Sequence, residues 1–148
     1  MQIKKATSRD VHTLVRLMHQ LWPDAPVAEL SAEVRLGLRS DKMHYFLAIT
    51  EEPIGFCQLS FRYDYVPGAT EEPTAFIEGI YVIGPERGND VATQLIETAT
   101  KFARSNGCYE LASDTEIDNT GSQQFHKRLG FEEVERTVHY IKKISRYE

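Results

Sequence analysis

Apolar residues fall into alternating runs and helical stripes along most of this chain. Residues 2–6 alternate as a short first strand. Thr7 and Ser8 offer a cap, and Val11, Leu14, Val15, Met18 and Leu21 then recur on one helical face. Trp22-Pro23 ends that helix, because proline pushes the residue before it out of the α region. Val27, Leu30, Val34 and Leu38 mark a second helix. Residues 44–50 and 54–63 read as two strands of a hairpin about the turn Glu51-Glu52-Pro53. After a loop punctuated by Pro67-Gly68, residues 75–83 form the strongest strand pattern of the chain. Gly84-Pro85 breaks it, and Val91, Leu95, Ile96, Ala99, Phe102 and Ala103 trace an amphipathic helix that Gly107 stops. Residues 110–115 predict a strand, 119–129 a helix halted by Gly130, and 132–144 a long terminal strand, or two.

The order β-α-α-β-β-β-α-β-α-β is that of a mixed α/β domain, and its strand–helix–strand unit implies a parallel, right-handed crossover. There is no repeat, low-complexity tract or linker, so residues 1–148 are expected to form a single domain. No apolar run approaches the roughly 20 residues of a membrane helix. The N-terminus shows no apolar signal segment, which predicts a cytoplasmic protein without a membrane partner. Cys57 and Cys108 lie far apart and read as small core hydrophobes, with no metal suggested.

A formal charge of −5 argues against a nucleic-acid partner, and its distribution says more than its sum. Residues 63–86 hold no Lys or Arg but include Asp64, Glu71, Glu72, Glu78 and Glu86. Residues 105–126 likewise hold only Glu110, Asp114, Glu116 and Asp118 among charged side chains apart from His126. If the two segments meet, they make an anionic cleft that attracts a polycation; otherwise they are two solvated acidic loops.

Strict alternation puts Phe76, Glu78, Ile80 and Val82 on one face of the strongest strand, with Ile77, Gly79, Tyr81 and Ile83 on the other. Glu78 is then a carboxylate among apolar neighbours, and burying it unpaired is costly. Two explanations are open: a catalytic base favoured by desolvation, or a structural ion pair with a residue such as Arg62. The segment Arg87-Gly88-Asn89-Asp90-Val91-Ala92 leaves a strand and opens a helix, where unpaired amides and the helix dipole suit phosphate, although many plain turns look the same. Asp114 ends the next strand, where α/β sheets place ligands, and a capping or turn role is equally open.

Together these residues resemble the GNAT superfamily of acetyltransferases along essentially the whole chain. The pyrophosphate signature of that family, Arg/Gln-x-x-Gly-x-Gly/Ala, reads here as residues 87–92, and its later signature as Asn119, His126 and Gly130-Phe131. More narrowly, the chain is similar to the aminoglycoside 6′-N-acetyltransferases. The residues that carry this are Gln20-Leu21-Trp22, Arg62-x-x-Tyr65-Val66-x-Gly68, Phe76-Ile77-Glu78-Gly79-Ile80-Tyr81-Val82, Ala112-Ser113-Asp114 and Leu129-Gly130-Phe131-Glu132-Glu133-x-Glu135-Arg136. Two positions depart from the family pattern: Asp90 stands where it has glycine, and His126 where many relatives have tyrosine. Asp tolerates the left-handed backbone better than most residues, and Asp90 is also a candidate side-chain cap.

The resemblance implies a mostly antiparallel sheet with a splayed central strand, flanked by about four helices. It implies acetyl-CoA as co-substrate, held by backbone groups of Ile80, Tyr81 and Val82 and by Arg87, Gly88, Asn89, Asp90, Val91, Ala92 and Thr93, with Asn119 and His126. A backbone N–H near Val82 would stabilise the oxyanion. Glu78 is the implied base and His126 the implied acid. Asp114 would orient the acceptor amine. Trp22, Tyr65 and Glu72 would line the sugar pocket, and the partner subunit's Glu135 would reach it across a homodimer. The acceptor implied is a small cationic amine, first of all an aminoglycoside. Another amine acceptor (a polyamine or a protein amino group) and a catalytically weak coenzyme-binding module are the alternatives.

Overall fold

The computed structural model describes residues 1–147. Its elements are β1 (Gln2–Lys5), α1 (Val11–Leu21), α2 (Val27–Gly37), β2 (Met43–Ile49), β3 (Pro53–Arg62), β4 (Thr74–Val82), α3 (Val91–Ser105), β5 (Leu111–Ala112) and α4 (Thr120–Arg128). The chain divides into two compact units, Met1–Asp114 and Thr115–Glu148. The first carries the sheet and α1 to α3; the second carries α4. No helix among the described residues is long and apolar enough to cross a membrane.

Local signals set the helix ends. Thr7 and Asp10 form a capping box over a short 3₁₀ turn that leads into α1. Trp22, held by the following proline, leaves helical geometry at φ −122° and ψ 72°. In the second unit, the Asn119 side chain caps α4 by accepting from the Ser122 amide at 3.1 Å.

The sheet runs β1-β2-β3-β4-β5, antiparallel except for the parallel β4–β5 pair. Alternation along β2 gives each face its own helices. Tyr45 and Leu47 join Leu14, Met18, Leu30 and Val34 of α1 and α2, with Phe56 of β3, in one buried cluster. His44 and Phe46 point to the other face, where their rings meet Phe102 of α3 at 4.6 and 5.5 Å between centroids. Cys57 and Cys108 are both buried, and burial pushes the Cys57 thiol up to about 12, so both are core side chains as expected.

Strict alternation fails in β4. Gln58 pairs with Gly79, but the next residue of β3, Leu59, pairs with Ile77, so Glu78 is an extra residue in a β-bulge. Glu78 therefore shares the α1 side of the sheet with Phe76 on one flank and with Gly79 and Tyr81 on the other. Ile80 and Val82 face α3. This corrects the expectation that Glu78 lies with Ile80 and Val82, because one extra residue inverts every side chain beyond it.

β5 pairs with β4 only at Ala75–Leu111 and Phe76–Ala112, shorter than the predicted 110–115. Beyond Phe76 the two strands separate, leaving the upper part of β4 with one open edge. No strand forms over residues 132–144, contrary to the alternating pattern there. In the second unit Val138, Tyr140, Ile141 and Ile144 are exposed, Tyr140 and Ile141 at 91% and 92%. Alternation shows that a segment is able to pair; strand formation also needs a neighbour for its amides and carbonyls.

His44 is buried, and its Nε2 lies 2.8 Å from the Asp41 carbonyl, so that nitrogen carries the proton. Burial lowers its pKa below 6.5, with the charge of Lys5 adding and the Asp41 bond opposing. The unfolded chain therefore takes up this proton first as the pH falls. His44 should cost no stability above about pH 6.5 and increasingly destabilise the fold below it. Urea unfolding at pH 7.5 and 5.5 checks this against a His44→Gln variant, whose smaller acid loss is the expected result.

Candidate active site

The Glu78 carboxylate meets two side chains of β3. Ser60 Oγ donates to Oε2 at 2.5 Å, while Arg62 donates Nε to Oε2 at 3.0 Å and Nη2 to Oε1 at 2.8 Å. The Arg62 guanidinium carbon lies over Phe76, 3.5 Å from the ring centroid. Hydrogen bonding to Glu78 raises the Arg62 pKa most, burial opposes it, and the charges of Glu78, Asp64 and Asp114 add to the rise. The ion pair with Arg62 that the sequence left open is thus present, and it resolves the cost of a carboxylate in mid-strand. A carboxylate offers about four acceptor positions, so three bonds leave one, on Oε1. Both side chains stay partly open to solvent, 24% for Glu78 and 32% for Arg62.

Ser60 was not among the residues expected from sequence. Its spacing of two from Arg62 puts both on one face of β3, but that signal carries meaning only once the pairing of β3 with β4 sets Glu78 beside them. Trp22 lies on the same face. A Cβ on Gly79 would come within 2.5 Å of its ring, so glycine beside Glu78 is what seats the indole. The Trp22 ring also meets Phe56 edge-on at 6.1 Å.

The two segments without Lys or Arg do meet within the first unit. Glu110 Oε1 accepts from the Thr70 and Glu71 amides at 2.8 and 3.2 Å, and the Glu110 carbonyl accepts from Ala75 N–H at 3.1 Å. The Thr70 amide is the main cause that holds the Glu110 carboxyl below its ordinary pKa. Asp64 and Asp114, one from each segment, both act on Arg62. Tyr65 and Glu72 line a cavity of about 210 Å3 within the loop after β3, with Asp64 on its wall.

The open edge of β4 has a definite polarity. Ile83 N–H donates to Ile54 of β3, so alternation turns the N–H and C=O of Val82 and Ile80 away from β3, toward the gap. The Tyr81 amide faces β3 instead, and its hydroxyl donates to Gln20 at 2.9 Å. Arg87 folds back on this edge, its Nε donating to the Val82 carbonyl at 2.9 Å with its guanidinium over the Tyr81 ring.

Gly88 at φ 90° and Asp90 at φ 60° make the turn into α3, and nothing lies within 4 Å of a Cβ built on Gly88. Asp90 occupies the cap position in left-handed geometry with no side-chain capping bond, so the candidate cap role is corrected while the turn itself is kept. Gln94 N–H to the Asp90 carbonyl closes the first turn, leaving the amides of Val91, Ala92 and Thr93 without an intrahelical acceptor. These amides and the helix dipole suit an anion.

In the second unit, His126 Nδ1 lies 2.7 Å from the Ser122 carbonyl, which can only accept, so Nδ1 carries a proton. Proton donation from Nε2 would then require the doubly protonated ring. Phe125 and Phe131 flank this imidazole edge-on. Asn119 caps α4, and Glu135 accepts from Thr137 at 3.3 Å.

A sequence profile described as the Acetyltransferase (GNAT) family matches residues 10–131. The aminoglycoside N(6')-acetyltransferase type 1 of Salmonella typhimurium is 41% identical over 128 residues, 86% of this chain and 88% of that protein. Its counterpart in Acinetobacter haemolyticus is 34% identical over 98% of this chain and its own full length. Among solved structures, AAC(6')-Iy in complex with the bisubstrate analogue CoA-S-monomethyl-acetylneamine superposes with a TM-score of 0.92 at 38% identity, covering 97% of this chain and 98% of that one.

Because Asp90 combines a left-handed backbone with an uncapped side chain, Asp90→Gly should stabilise the fold by up to about 1 kcal/mol. Urea unfolding midpoints measure this; a destabilised variant would show that the Asp90 side chain makes a favourable interaction.

Proposed function

The chain belongs to the acetyltransferase (GNAT) family, and from that premise we propose that it moves an acetyl group from acetyl-CoA to the 6′-amine of an aminoglycoside. The residues present suit both substrates. For the coenzyme, the first-turn amides of α3 and the turn at Arg87–Asp90 would hold the pyrophosphate, and Ile80 and Val82 present backbone groups to the gap beside β4. Acetyl-CoA supplies the acyl group as an activated thioester. Everything else is done by the protein: it excludes water, places the amine and moves one proton.

The observation that carries the acceptor side is the meeting of the two acidic segments around Arg62 and Glu78. An alkyl ammonium has a pKa of about 10.4, so the acceptor must lose a proton before it attacks. Glu78 takes that proton at the open position on Oε1, and Asp114 orients the amine through its charge. Trp22, Tyr65 and Glu72 contact the sugar rings. We assign Asn119 and His126 to the coenzyme side, with His126 as the acid that returns a proton to the leaving thiolate. Residues 1–148 act as one catalytic domain, in the cytoplasm, which suits its two buried free cysteines.

The active form is a homodimer in which a second copy covers the exposed apolar residues of the C-terminal segment and contributes the partner subunit's Glu135 to the acceptor pocket. The exposed side chains of Val138, Tyr140, Ile141 and Ile144 support this, since a second copy that covered them would remove large apolar groups from water. Light scattering should give twice the monomer mass, and Tyr140→Asp with Ile141→Asp should give monomers; a monomeric parent protein would sink the assignment.

Thiol release from acetyl-CoA in the presence of kanamycin, with the acetylated nitrogen located by NMR, tests the reaction. Acetylation of a polyamine or a peptide amine alone would reassign the acceptor, and coenzyme binding without thiol release would mark a binding module. Glu78→Gln should lower kcat by about 100-fold while acetyl-CoA affinity stays within about twofold. Unchanged turnover would remove Glu78 from the base role.

A further inference from the structure

We propose that Ser60 and Arg62 are positioning residues for the reaction, fixing Glu78 so that a single acceptor position on Oε1 is presented to the substrate amine. This rests on the reading of Glu78 as the base. Three observations carry it. Glu78 is the extra residue of a bulge, so its backbone already departs from the regular pleat, and its side chain reaches Ser60 and Arg62 of β3. Its carboxylate then receives three donors from two side chains, and both oxygens are engaged. Arg62 is itself held, with its guanidinium carbon over the Phe76 ring at 3.5 Å.

A glutamate on a strand has three side-chain torsions, and a base that samples many rotamers meets its proton in only a fraction of them. Two bonds from one guanidinium set the carboxylate plane, and the Ser60 hydroxyl sets its rotation within that plane. The acceptor position left over is the one that takes the proton: –NH3⁺ and –COO⁻ become –NH2 and –COOH, with the nitrogen lone pair released for attack. Arg62 keeps its two bonds throughout and does not touch the acceptor. The side chain is thus arranged before the substrate arrives, which is where positioning gains its effect on rate.

Arg62 has a second consequence for the acceptor. It neutralises Glu78 by direct contact while Asp64 and Asp114 act on it only through space. The net negative charge available to a polycation therefore lies on the aspartates, and Glu78 is left for proton transfer.

The test is a set of double-mutant cycles with kanamycin as acceptor, read as kcat and both KM values. Ser60→Ala and Arg62→Lys should each lower kcat about tenfold, with the acetyl-CoA KM within about twofold of the parent. In a Glu78→Gln background the same two changes should lower kcat by less than about twofold, because the group they position is gone. Full tenfold losses in that background would mean that Ser60 and Arg62 act independently of Glu78, and the proposal fails. Unchanged kcat for both single variants overturns it as well. If Glu78→Gln by itself leaves kcat unaltered, the base reading has failed and this inference falls with it, a result distinct from the two before. Ser60→Ala removes one oxygen and decides the matter alone if Arg62→Lys does not fold.

Discussion

One extra residue in β4 governs the arrangement of this protein. The bulge at Glu78 inverts the strand beyond it, and three consequences follow from that inversion. Gly79 joins Glu78 on the face of Ser60 and Arg62, where it seats the Trp22 ring. The side chains of Ile80 and Val82 are sent to the α3 side of the sheet. The amides of Ile80 and Val82 are turned to the gap where β5 has left β4. In a regular strand those amides would face β3, and the gap would be lined by the groups of Gly79 and Tyr81 instead. That Glu78 faces one side of the sheet while Ile80 and Val82 face the other thus depends on a single departure from the pleat.

Charge is arranged around one cation. Arg62 sits among Glu78, Asp64 and Asp114, and without it three carboxylates would repel one another across a partly buried face. Direct pairing with Glu78 satisfies the most buried of these groups, while the exposed Asp64 and Asp114 act on Arg62 only through space. The fold tolerates an acidic pocket because its innermost acid is paired.

At the turn into α3, Asp90 shows how far a signature can vary without loss of the backbone it encodes. Its φ of 60° is the geometry that glycine adopts freely, and Asp reaches it at a modest cost. Its side chain makes no cap, so it contributes negative charge beside amides that suit a diphosphate. Arg87, folded onto the Val82 carbonyl and Tyr81, places a positive charge at the same turn.

Much was legible in the residues themselves. Helices and strands followed from apolar spacing, their ends from Thr7, Pro23, Gly107 and Asn119, and the family from residues 87–92 together with the runs around Glu78 and Asp114. Each of these is a local property, set by neighbours a few positions away. Tertiary structure alone decided that Glu78 parts from Ile80 and Val82, that Ser60 completes its hydrogen bonds, that β5 stops at Ala112, and that residues 132–144 form no strand despite a strand's alternation. Those outcomes depend on register and on which amide finds which carbonyl across the sheet. A periodic pattern specifies the alternation but not the partner, and one bulged residue is enough to reverse what the alternation predicts.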